Sequence, residues 1–250
     1  MCGKAAVSHL AWKDVYAWAT SLTPPEVLPA DPATRMNISP SRLRRVAEPD
    51  SMVWETLPAI YTVDNIDVPV EAIWPFLPYW SRGQLPRNKD GKLLSTANAR
   101  LRHDGHPFAR SYMAAWEKDF RVLVPVSWFY EFDSRVKPQI PYAVFPLHAP
   151  FWLLAGLANK YTDSHGQQSI SITIITVAPN SVLKSVGHHR SPAILRGPDE
   201  AEAWLRASKQ EALELLRPFP DETMGVEQVP MGIKIPGNEN IPMPGCLQGR

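Results

Sequence analysis

Cys2 stands directly behind Met1 in this chain. Methionine before a small second residue is commonly removed, and the product here would carry an α-amine and a thiol on one carbon skeleton. The reference pKa values are ~7.7–8.0 for such an amine and ~8.5 for the thiol, so a fair fraction of the amine is neutral near pH 7. A neutral amine attacks an aldehyde to give a Schiff base. The adjacent thiol then closes a five-membered thiazolidine, favoured by the high effective molarity of intramolecular closure. Taken alone, a cysteine at this position is more often incidental.

Other residues supply what that chemistry would need. His188 and His189 open the run HHRSP, and only one of two adjacent histidines faces a given pocket. Histidine suits acid–base work because its pKa lies near neutrality; a capping or core role is the commoner alternative. Glu131 sits inside the aromatic run WFYEF, where a carboxylate must be paired or shifted in pKa. A structural salt bridge would satisfy it as well as catalysis. Asn98 and Arg100 frame the tripeptide NAR. The arginine fork matches a phosphate and the amide both donates and accepts, though a solvated arginine beside a turn asparagine is the plain reading.

The elements that would position these residues are short. Of 250 residues, 26 are proline, which interrupts helix interiors and central strands. Helical spacing marks SHLAWKDVYAWATSL, with Ser8 as a candidate cap, and HPFARSYMAAWEKDF. PNSVLKSVG reads as a short helix ending at Gly187, and DEAEAWLRA and KQEALELLRPF as two more. Strands are expected near AIYTV, VEAIW, YAVFPL, FWLLAGLA, SISITIITV and SPAIL, and in RVLVPVSWFYEFD as a pair or as one strand bent at Pro125. The segment from PPEVL to RLRR reads as a proline-punctuated loop, and the segment from WPFLPYW to NAR as a long ordered one. With no regular βαβ alternation, the fold class is α+β: a curved, mostly antiparallel sheet or barrel-like core with flanking short helices. One domain spans 1–250, its tail 233–250 extended.

Composition narrows the partners. The net charge of +1 gives no global field for nucleic acid, so any DNA contact needs a local basic groove. Arg42, Arg44, Arg45, Arg82 and Arg87, on loops, are candidates for it. Trp80, beside Ser81-Arg82-Gly83, is a better candidate for base stacking than Trp74 or Phe129, which read as core. Two cysteines, Cys2 and Cys246, form neither a disulfide framework nor a zinc pattern. No membrane span or signal segment is legible, and the cytoplasm is the simplest compartment.

The order of the motifs is more specific than any one of them. MCG, NISPS, WPFLPYW, NAR, VPVSWFYEF, AGL and HHRSPAIL run from Cys2 to Leu195. In that order the chain resembles the SOS response-associated peptidase (SRAP) family. It departs at Lys4 for arginine, Pro75 and Trp128 for glycines, and Ser191 for methionine.

The resemblance implies covalent linkage to abasic sites in single-stranded DNA, with no cofactor or metal, by a monomer. In the implied catalytic set, Cys2 supplies amine and thiol and Glu131 positions or deprotonates the amine. His188 acts on the sugar ring oxygen and hydroxyl, and Asn98 holds Cys2 and the sugar. Arg100, Trp80, Arg82, Arg190 and Lys4 are the implied DNA contacts. His189 is assigned no chemistry. Two other readings stay open: a cysteine-dependent peptidase whose obvious substrate is the Met1–Cys2 bond, and a non-covalent single-stranded-DNA-binding module.

Overall fold

The architecture was obtained as a computed structural model, which describes residues 3–44, 52–102, 106–162, 166, 168–235 and 237–245. In chain order the strands are β1 (Lys4–Val7), β2 (Arg35–Ile38), β3 (Arg42–Arg44), β4 (Met52–Trp54), β5 (Thr56–Val63), β6 (Ile66–Ile73) and β7 (Asn98–Arg100). They continue as β8 (Arg121–Val126), β9 (Trp128–Asp133), β10 (Ile140–Pro146), β11 (Trp152–Thr162), β12 (Gln168–Val177), β13 (Ser191–Pro192) and β14 (Met224–Gln228). The helices are α1 (Trp12–Trp18), α2 (Arg110–Glu117), α3 (Ser181–Ser185), α4 (Pro198–Arg206) and α5 (Lys209–Glu214).

The longest strands are the β-branched runs, and they close on themselves. β5 and β6 form a hairpin in register from Thr56–Ile73 to Val63–Ile66. Its two-residue turn, Asp64-Asn65, has φ of 49° and 64°; positive φ at both positions gives the turn whose twist matches that of the strands. β8 joins β5 through Ile60–Leu123, β11 pairs along β8, and β12 pairs along β11. One parallel pairing, Ser171–Ile73, returns β12 to β6 and closes a five-stranded barrel. Gly156 lies where β11 is flanked on both sides, and a Cβ there would come 2.8 Å from the Thr173 carbonyl oxygen. That close approach accounts for the glycine of the AGL motif.

A second, antiparallel sheet runs β14-β10-β9-β1-β2, and β3 and β4 form a separate ribbon. The fold is therefore α+β with a barrel core and short flanking helices, as the strand pattern implies. The chain passes from barrel to second sheet at Ser127, not at Pro125, which stays inside β8 opposite Leu153. Ser127 is held there because its amide donates to the Ala6 carbonyl and its Oγ accepts from the Ser8 amide at 2.9 Å. Ser8 is thus engaged away from α1. The helix starts at Trp12, whose amide donates to Asp31 Oδ1 at 2.8 Å, with Ala11 as the preceding residue. Part of the expected proline-rich loop is also strand, since Arg35–Ile38 pairs with β1.

The main core fills the barrel and the space under the helices, with Trp12, Trp74 and Trp204 almost wholly buried. Full burial of a large apolar side chain contributes roughly 1.5–3 kcal/mol. Trp128 centres a second core with Tyr130, Phe145, Val229, Ile233 and Ile241, which gives the glycine-to-tryptophan departure a packing role.

Candidate functional site

The most ordered polar feature of the molecule lies where the second sheet meets the barrel edge. Glu131 of β9 is 1% exposed, and His188 approaches it from the segment between α3 and β13. His188 Nε2 stands 2.9 Å from Glu131 Oε2. The other ring nitrogen, Nδ1, is 3.0 Å from the Arg190 carbonyl oxygen. A carbonyl only accepts, so Nδ1 carries a proton. The short Nε2–Oε2 contact then needs a proton of its own, on the imidazole or on the carboxyl. The pair is built to hold one mobile proton in a buried setting.

Local structure aims His188. Asn180 caps α3 by accepting from the Leu183 amide at 3.0 Å, and the helix ends at Gly187, whose φ is 72°. A Cβ on Gly187 would fall 2.1 Å from Asp133 Oδ1. Asp133 ends β9, and Arg135 forks onto it with Nε–Oδ1 at 2.9 Å and Nη2–Oδ2 at 2.7 Å. The same Nη2 donates to the Ser185 carbonyl at 2.9 Å. The strand that carries Glu131 therefore also clamps the turn that carries His188. Arg135 holds the Asp133 carboxyl below the usual carboxylate range, chiefly by donating to it. Neither Asp133 nor Arg135 belongs to a motif, and the -D-x-R- step is no signal in sequence.

Cys2 lies outside the described residues. The described start of β1 runs antiparallel to β9, with Lys4 opposite Tyr130, the neighbour of Glu131. Lys4 itself is buried, and its Nζ donates to Asn37 Oδ1 at 2.6 Å. The Asn37 amide nitrogen donates to the carbonyls of Ile235, at 2.8 Å, and Asn238, at 3.0 Å. Burial lowers the Lys4 pKa, partly offset by Glu55 and Glu239. The side chain expected to touch DNA instead ties β1 to β2 and the C-terminal segment.

Asn98 and Arg100 lie on β7, which pairs with β12 through Asn98–Ile174 and Thr176–Arg100. β13 pairs with the other edge of β12, through Thr176–Pro192. Thr176 therefore lies between the two motifs. The Arg190 guanidinium donates to its carbonyl and, at 3.1 Å, to its Oγ1. Upstream, Trp74 Nε1 donates to the Ala97 carbonyl at 3.0 Å, so the buried tryptophan of WPFLPYW anchors the residue before Asn98.

Beside these residues opens a cleft of about 970 Å³, lined by Arg100, Arg102, Arg190 and Arg217 with Leu101 and Leu216 among its apolar walls. Burial and then the neighbouring Arg100 lower the Arg190 pKa. His189 is exposed, 5.3 Å from the His188 ring. The solvent it does lose, and then His188, lower its pKa. A second cleft, of about 540 Å³, is lined by Tyr79, Trp80, Arg110, Ser111 and Ala114. Trp80 is 49% exposed, whereas Trp74 and Phe129 are fully buried core. Arg82 and Arg87 are exposed, and the Arg87 guanidinium donates to the Gly91 carbonyl. Arg45 lies outside the described residues. Among the described residues, no group of His, Cys, Asp and Glu is placed to hold a metal, and no helix is long and apolar enough to cross a membrane.

The family model for SOS response associated peptidase (SRAP) matches residues 1–235. The chain belongs to the SRAP family. The abasic site processing protein YoaM of Bacillus subtilis is 28% identical over 173 residues, covering 67% of this chain and 70% of that protein. The abasic site processing protein HMCES of Gallus gallus is 28% identical over 167 residues, covering 58% of this chain and 48% of that protein. The SRAP chain thus spans about half the length of the avian relative. A solved structure from Bacteroides thetaiotaomicron matches with a TM-score of 0.60 at 25% identity, covering 80% of this chain and 85% of that one. One from Bordetella bronchiseptica matches with a TM-score of 0.65 at 18% identity, over 92% of this chain and 100% of that one. The second likeness is one of fold.

Proposed function

We propose that this SRAP chain binds single-stranded DNA at abasic sites and links to them covalently through Cys2 once Met1 is removed. The carrying observation is the buried Glu131–His188 pair, held beside the strand that β1 pairs with. The names of the bacterial and avian relatives support abasic DNA as the substrate class.

An abasic deoxyribose is in equilibrium with its ring-opened aldehyde. His188 passes a proton to the ring oxygen as the ring opens, and Glu131 takes one from the attacking amine. The amine nitrogen bonds to the aldehyde carbon, and the carbonyl oxygen leaves as water. The Cys2 sulfur then bonds to the imine carbon, and the nitrogen takes up the proton that the thiol gives up. Aldehyde and aminothiol thus become thiazolidine and water, with no redox partner. In this reading Asn98 orients the sugar and Arg100 and Arg190 hold a flanking phosphate. Trp80, with Arg82 near it, offers a stacking face, and Lys4 serves by fixing β1.

The test is denaturing electrophoresis after incubation with an abasic single-stranded oligonucleotide. A denaturant-resistant band that vanishes in Cys2→Ala supports the proposal. Binding with no such band would leave a non-covalent module. Cys2-dependent cleavage of peptides without an adduct would favour the peptidase reading, which rests on the family's description.

A further inference from the structure

The larger cleft extends past the arginines assigned to the lesion. Arg100 ends β7, but the strand-like course continues, because the Leu101 amide donates to the Thr176 carbonyl at 3.0 Å. Arg100 and Arg102 are both exposed and Leu101 between them is half-buried against the core. Alternation in extended backbone puts residues two apart on one face. Two residues of rise separate them by about 6.6 Å at ~3.3 Å each, close to the spacing of neighbouring phosphates on an extended strand.

Arg217 reaches the same cleft from the segment after α5. Its Nη1 donates to the Glu214 carbonyl at 3.0 Å and its Nη2 to Glu200 Oε1 at 2.5 Å. Two of its five donors are thus used to fix the fork in place. Among the described residues the cleft lining holds four arginines and no acidic side chain. Arg190 Nε is buried with no hydrogen-bond partner among the described residues. Cations gathered around an apolar floor are stabilised by a polyanion that also brings apolar surface, which is the make-up of a single strand of nucleic acid. The volume of about 970 Å³ is at the upper end of the ~300–1,000 Å³ typical of small-ligand pockets.

We infer that Arg102 and Arg217 form a second phosphate subsite, one nucleotide beyond the phosphate held at Arg100 and Arg190, with the intervening base laid against Leu101, Leu216 and Pro218. This rests on the proposed DNA function and adds direction to it: one flank of the lesion is gripped in the cleft, the other is not.

The test measures non-covalent binding of unmodified single-stranded DNA, and of abasic oligonucleotides extended by one to four nucleotides on either the 5′ or the 3′ side alone. Extension on one side tightens binding to the wild type, and this gain is lost in Arg102→Gln/Arg217→Gln. The slope of log affinity against log salt falls by about 1.4 in the double variant, at ~0.7 per phosphate contact. Arg102→Gln alone, at an exposed position outside any ion pair with Glu200, lowers it by about half as much and guards against misfolding of the double variant. Equal gains from both flanks, or an unchanged salt slope, overturn the subsite. Cys2→Ala is the control that separates the two proposals. Its flank effect persists whether or not the wild type crosslinks, so failure of the covalent reading and failure of the subsite give different results.

Discussion

Glu131 Oε2 and His188 Nε2 meet at 2.9 Å with side chains 1% and 7% exposed, one from the second sheet and one from the barrel's edge. An ion pair this buried gains little net stability over an apolar substitute, because desolvation offsets the attraction. A structural salt bridge is thus a costly use of the two groups. With Nδ1 committed to the Arg190 carbonyl, a shared proton on the other side gives the pair a use.

Glu131→Gln tests that use directly. The amide can donate to neutral Nε2, so packing is retained while the proton store is removed. The rate of adduct formation is expected to fall by roughly 10²–10⁴, the usual contribution of general acid–base catalysis, with melting little changed. A time course on denaturing gels decides it: a wild-type rate in Glu131→Gln would remove the carboxylate from the mechanism.

Gly187→Ala is expected to lower stability although the added group is one methyl. The position has φ of 72°, and the Cβ would sit 2.1 Å from Asp133 Oδ1. A non-glycine residue in such backbone costs about 1–3 kcal/mol, and the overlap requires Asp133 or the turn to move. His188 follows directly, so adduct formation should slow along with the drop in urea midpoint. An unchanged midpoint would mean that the clamp is slack.

Acid should release the same clamp. Because Arg135 holds the Asp133 carboxyl below its ordinary value, the contribution is complete above the ordinary carboxylate pKa of ~3.9. It is lost as pH falls through the lower folded value. Asp133→Asn is therefore less stable than wild type at neutral pH, and the gap closes at strongly acid pH. Parallel denaturation curves at pH 7 and near pH 2–3 measure it; a gap that stays constant would assign the effect to packing.

Much of this site is legible in the chain because motif residues carry it. Trp74 and Phe129 read as core and are core, and the strand runs around NAR, WFYEF and HHRSP give the α+β class. What sequence does not reveal is what only closure creates. The barrel is sealed by one parallel pairing, Ser171–Ile73, with no local signature. Arg102 and Arg217 become neighbours of one cleft only because β12 and the segment after α5 bring them together. Lys4 reads as a phosphate ligand from its motif, yet its ammonium points to Asn37, a partner thirty-three residues on that only the β1–β2 pairing supplies.

Asn37→Ala follows from that last contact. It would leave a buried ammonium short of its acceptor and release the carbonyls of Ile235 and Asn238. Loss of a partner to a buried polar group costs about 1–3 kcal/mol, more when the group is charged. The expected result is a lower melting temperature together with slower adduct formation, since β1 loses its anchor. Salt dependence of DNA binding should not change, because Lys4 contacts no phosphate in this arrangement; a shallower salt slope would return Lys4 to the DNA-binding surface.

Cys2→Ser separates the two halves of the proposed reaction. The variant keeps the α-amine but not the sulfur nucleophile, so condensation proceeds to the Schiff base and stops. Borohydride should trap a protein–DNA adduct from Cys2→Ser, while without reductant the adduct is lost on heating in denaturant. The wild-type adduct survives heating without reductant. The rate for both should rise with pH as the amine loses its proton, toward a plateau above the reference amine pKa of ~7.7–8.0. An adduct from Cys2→Ser that resists heating unreduced would show that the thiol does not close the ring, and with that the thiazolidine would have to be abandoned while the Schiff base remained.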